Sequence, residues 1–81
     1  MKERLQKMLE ALGFTTRILE HNGKELIDGT LEIGDRKIAI ICGMNGTARI
    51  DKPNGTHKWV YERTPAQIAA TLRQIIDCNR P

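Results

Sequence analysis

The sequence predicts an α+β fold: a two-layer sandwich in which a five-stranded antiparallel meander carries an N-terminal and a C-terminal helix on one face. Three observations predict it. The first is the apolar run Lys37-Ile38-Ala39-Ile40-Ile41-Cys42-Gly43-Met44, bounded by turn residues, which reads as a strand buried on both faces in the middle of a sheet. The second is a series of turn signals at Asn22-Gly23, Gly34-Asp35, Asn45-Gly46 and Pro53-Asn54-Gly55, spaced for consecutive hairpins. The third is helical periodicity at both ends of the chain.

Leu5, Met8, Leu9 and Leu12 fall at i, i+3, i+4 and i+7, one apolar stripe on a helix over residues 2–12 that Gly13 stops. Residues 14–21 and 24–33 are the first two strands, joined by Asn22-Gly23. The central strand spans 36–44, the fourth 47–52 and the fifth 56–62. Thr64-Pro65-Ala66-Gln67 is a capping box with Pro at the first helical position. The helix it opens carries Ile68, Leu72, Ile75 and Ile76 on one side. Residues 1–81 form a single domain, with a frayed tail over 78–81.

Tight turns fix register, so each face can be written down. Reading Asn45-Gly46 as a two-residue loop pairs Ile41 with Ile50 and Gly43 with Ala48. The helix-covered face then holds Phe14, Ile18, Ile27, Leu31, Ile33, Ile38, Ile40, Cys42, Met44, Trp59 and Tyr61. The opposite face holds Leu19, Leu26, Ala39, Ile41, Gly43, Ala48, Ile50 and Val60, with Arg17, Asp28 and Lys58 among them. A solvated face should alternate to polar residues, and this one keeps an apolar band. Such a band marks an association surface. The expected role is therefore a non-enzymatic interaction protein that forms a homodimer through Leu19, Leu26, Ile41, Gly43, Ala48, Ile50 and Val60.

A second class of function rests on aromatic and basic residues. Trp59 and Tyr61 lie at i, i+2 on one strand, flanked by Lys58 and Arg63, with Arg49 on the neighbouring strand. Sheets bind single-stranded nucleic acid by stacking bases on such aromatics between cations. The competing expectation is that this pair is core beneath the C-terminal helix, since only three aromatic residues are present. The net charge of +3 is concentrated in residues 34–63, where six Lys/Arg face three Asp/Glu. That is short of the dense basic patch of a committed nucleic-acid binder.

Catalytic and metal chemistry find little support in the residues. Cys42, His57 and Asp51 are the types of a nucleophile, base and orienting acid, but Cys42 sits in an apolar strand where burial makes a thiol inert. Two cysteines, Cys42 and Cys78, make neither a disulfide framework nor a usual zinc site. No cofactor and no metal are expected. No run reaches the ~20 apolar residues of a membrane span, and Met1-Lys2-Glu3-Arg4 leads into an amphipathic pattern, so a cytoplasmic protein without membrane contact is expected. Asn45-Gly46-Thr47 and Asn54-Gly55-Thr56 match glycosylation sequons and are read as turns.

The first half of the chain, with a helix, Gly13-Phe14, a strand, Asp28, then Gly34-Asp35 and an apolar strand, resembles the opening of the PD-(D/E)xK nucleases, including archaeal Holliday-junction resolvases. In that family an Asp and a Glu-x-Lys on the adjacent strand hold a metal and activate water. Asp28 takes the Asp position, but the Glu-x-Lys positions fall on Ile41, Cys42 and Gly43. The resemblance therefore implies no nuclease chemistry here.

Overall fold

A computed structural model describes residues 2–80. The elements run α1 (Lys2–Ala11), β1 (Thr15–His21), β2 (Lys24–Ile33), β3 (Arg36–Gly43), β4 (Ala48–Asp51), β5 (His57–Val60) and α2 (Pro65–Cys78). The five strands form one antiparallel sheet in the order β1-β2-β3-β4-β5, and both helices pack on one face of it. This is the expected two-layer meander. The expected domain span of 1–81 takes in Met1 and Pro81, which lie outside the described residues.

The helices form where their local chemistry dictates. In α2 the Thr64 hydroxyl accepts from the Gln67 amide at 3.2 Å, and the Gln67 side chain accepts from the Thr64 amide at 2.9 Å, so two otherwise unpaired donors are satisfied. At its other end the Asn79 amide donates to the Ile76 carbonyl at 3.0 Å and the Asn79 side chain to the Ile75 carbonyl at 2.8 Å. Asn79 is thus a cap rather than part of a frayed tail. The remainder of that tail includes Pro81, outside the described residues.

The core lies between the helices and the sheet. Leu5 and Leu9 of α1 and Ile68, Leu72, Ile75 and Ile76 of α2 pack on Ile27, Ile38, Ile40 and Cys42. Ile18 faces the same layer from β1 but is 40% exposed, because it lies at the sheet's edge.

Register follows the turns. Asn22 (φ 53°) and Gly23 (φ 76°) are both left-handed, as a type I′ turn requires, and pair Arg17 with Asp28 and Leu19 with Leu26. Gly34-Asp35 pairs Leu26 with Gly43 and Asp28 with Ile41. These pairings are the expected ones.

The β3–β4 turn departs from expectation. The Gly43 amide donates to the Thr47 carbonyl at 2.9 Å and the Gly46 amide to the Gly43 carbonyl at 3.1 Å. This is a three-residue loop, a type I turn closed by left-handed Gly46 (φ 84°), not a two-residue one. Ile41 therefore faces Arg49, and Cys42 faces Ala48. The one-residue shift turns β4 over, and β5 with it, since Ala48 still pairs with Val60 and Ile50 with Lys58. Ala48, Ile50 and Val60 are consequently core residues under the helices, not members of the open face. Lys58 shares their side of the sheet, while Trp59 and Tyr61, expected in the core, are exposed.

Gly46 also has the tightest surroundings of the glycines. Its carbonyl accepts from the Arg63 amide at 3.1 Å, and a β-carbon placed on it would collide with the Arg63 carbonyl oxygen. Gly55 closes the β4–β5 turn with the same bonding pattern and φ 86°, but has open space around it. Gly55→Ala should cost about 1 kcal/mol of stability, and Gly46→Ala more than about 3 kcal/mol. Urea denaturation of the two variants measures this; equal losses would show that the Gly46–Arg63 approach is not a constraint.

Candidate functional site: the helix-free face of the sheet

The face turned away from the helices is built by every second residue of the strands. Leu26 of β2 and Ile41 and Gly43 of β3 form an apolar floor. Arg49 of β4 and Trp59 of β5 sit opposite one another beside it. Ile41 is 44% exposed, Trp59 48% and Tyr61 66%. The Trp59 and Tyr61 rings stack, with centroids 6.1 Å apart and planes at 12°. Trp59 on β5 and Tyr61 just past its end thus form one exposed aromatic pair.

Backbone constraints hold that pair. Thr47 accepts from the Glu62 amide through its hydroxyl at 3.2 Å, and Glu62 is left-handed (φ 52°). With the Arg63–Gly46 bond, this turns the chain sharply just after Tyr61. A shallow groove of about 690 Å³ lies alongside, floored by Leu26, Ile41 and Gly43, walled by Trp59 and rimmed by Lys24 and Arg49.

Charges on this face are largely matched. Arg17 bonds Asp28 across the strands at 2.6 Å, and Arg49 bonds Asp51 at 2.9 Å. Glu32 and Lys37 are cross-strand partners, and Lys24 stands at the β1–β2 end.

Of the seven residues expected to form an association band, the structure gathers Leu19, Leu26, Ile41 and Gly43 on the open face and removes Ala48, Ile50 and Val60 to the core. Of the five aromatic and basic residues, it gathers Arg49, Trp59 and Tyr61. Lys58 lies on the helix side, next to Thr71 of α2, and Arg63 follows the strand at the turn toward α2. The two candidate sets are thus one surface. The repeated Asn-Gly-Thr could have revealed this: both copies form the same turn, with Asn45 accepting from the Thr47 amide and Asn54 from the Thr56 amide, each at 3.0 Å.

Asp51 and His57 are cross-strand neighbours as expected, but Cys42 is buried on the other side of the sheet. No nucleophile–base contact connects them. Among the described residues, no group of three His, Cys, Asp or Glu side chains gathers as a metal site, and no helix is long and apolar enough to cross a membrane.

Burial raises the Cys42 thiol from its ordinary value to about 11. The folded state therefore holds this proton longer than the unfolded chain does. Its contribution to stability is complete below about pH 9 and is lost as pH rises toward 11. A thiol reagent at pH 8 should label the exposed Cys78 promptly and Cys42 only on unfolding. Equal labelling rates would contradict the burial of Cys42.

Comparison with models of known families, with curated proteins and with solved structures returned no match, so this surface is interpreted from its own geometry.

Proposed function

We propose that this chain is a non-enzymatic interaction protein of the cytoplasm that pairs with a second copy of itself through the helix-free face. The observation that carries the reading is the exposed, stacked Trp59–Tyr61 pair, whose Trp59 walls the groove floored by Ile41 and Leu26. Exposed aromatic side chains beside an Arg and an apolar floor match the residue types enriched at protein–protein interfaces.

Charge supports a second copy as the occupant. In a twofold contact a patch meets itself, so a patch of one sign repels itself. Here Arg17 and Arg49 are each neutralised by a carboxylate on the same face. Area supports it too. The strands run over seven, ten, eight, four and four residues, and at ~3.3 Å per residue and ~4.8 Å spacing they give roughly 500 Å² in projection. Followed around the side chains, that approaches the ~800 Å² per partner of a standard interface.

A second reading is a weak single-stranded nucleic-acid binder, favoured by the stacked pair beside Arg49. Its difficulty is that Asp28 and Asp51 already occupy the cations a phosphate backbone needs.

Light scattering over a range of concentration and salt tests the reading. The parent should be larger than a monomer, with association that persists at 1 M salt, and Ile41→Lys should weaken pairing through this face at least tenfold with the fold intact. A parent that is monomeric throughout would overturn it. A monomer whose Trp59 emission is quenched by oligonucleotide would favour the second reading instead.

A further inference from the structure

We propose a second, separate self-association surface: the free edge of β1, which pairs antiparallel with the β1 edge of another copy to build a continuous ten-stranded sheet. The inference is independent of the helix-free face.

The edge is open because of the turn that precedes it. In a two-residue hairpin the residues flanking the loop form a hydrogen-bonded pair, and every second pair after it does the same. His21–Lys24, Leu19–Leu26, Arg17–Asp28 and Thr15–Thr30 are those pairs. The amides and carbonyls of Thr16, Ile18 and Glu20 therefore point out of the sheet.

The two edges of the sheet differ. β5 is four residues long, and the chain turns away just beyond it at left-handed Glu62 and the Arg63–Gly46 bond. A short, quickly ended strand is a protected edge. β1 is seven residues long, with no proline and no left-handed residue. Its Ile18 stays 40% exposed on the helix side, although its cross-strand neighbour Ile27 is fully buried. A strand of this kind is a template for another strand.

The occupant follows from self-complementarity. A twofold axis at Ile18 sets Ile18 against Ile18 of the partner subunit and Thr16 against Glu20 of the partner subunit. Each outward amide then meets an outward carbonyl, making about six backbone hydrogen bonds. The exposed faces of the two Ile18 side chains cover one another. All four helices stay on one side, and the two helix-free faces join into one. With both surfaces engaged, two such sheets stacked face to face close a tetramer with dihedral symmetry.

Two variants test this. Ile18→Cys in a Cys78→Ser background should form a disulfide-linked dimer under mild oxidation, since paired Cα atoms at ~5.5 Å lie within disulfide reach. Glu20→Pro removes an outward amide that bonds nothing within its own sheet, so it should keep the circular dichroism of the parent while weakening edge pairing at least tenfold. Cross-linking of Ile18→Cys should also survive Ile41→Lys, which separates this edge from the helix-free face. A folded Ile18→Cys that does not cross-link, or a folded Glu20→Pro with unchanged solution mass, would overturn the proposal.

Discussion

A one-residue change of register in an antiparallel pair sends every side chain to the opposite face, and the β3–β4 turn stands at that point in this chain. Gly46 closes a three-residue loop, and its left-handed conformation is fixed further by the Arg63 amide. From that turn follow the burial of Ala48, Ile50 and Val60 and the exposure of Arg49, Trp59 and Tyr61. A side chain at Gly46 would collide with the Arg63 backbone, so packing and conformation demand the same residue. Core composition and surface chemistry are thus two consequences of one backbone constraint.

The exchange is favourable on both sides of the sheet. Beneath the helices, Ala48, Ile50 and Val60 fill the layer over α2 without polar atoms to satisfy. Trp59 in their place would have to find a partner for its indole N–H. On the open face the two rings stack on one another and stay exposed, where a second surface can cover them. Burying large rigid side chains there gains much contact area at little entropic cost, as in other protein interfaces.

Most of the fold was legible because local signals agreed with one another. The Asn22-Gly23 turn fixed the β1–β2 register, Gly34-Asp35 fixed β2–β3, and the Thr64 capping box placed the start of α2. Asn45-Gly46 was ambiguous, since the same dipeptide serves two turn types. In a type I′ turn the Asn is left-handed, as Asn22 is; in a type I turn with a glycine bulge only the Gly is, as at Gly46. Alternation in β4 offered a second signal, because Ile50 inward puts Arg49 and Asp51 outward. Residues 59–61 gave no such help: Trp, Val and Tyr are all apolar enough for a core, and only the upstream register decides between them. Leu19, Leu26, Ile41 and Gly43 of the candidate surface were therefore legible, and Arg49, Trp59 and Tyr61 depended on one turn.

Trp59 is the only tryptophan, so its emission reports the helix-free face alone. The most direct measurement is Trp59 emission and its quenching by acrylamide as the protein is diluted through its association range. Pairing through this face requires a solvent-like, readily quenched indole at high dilution, and a blue-shifted, shielded one at high concentration. An emission that stays solvent-like and fully quenchable while the mass shows a dimer would place the contact elsewhere and contradict the helix-free face as the interface.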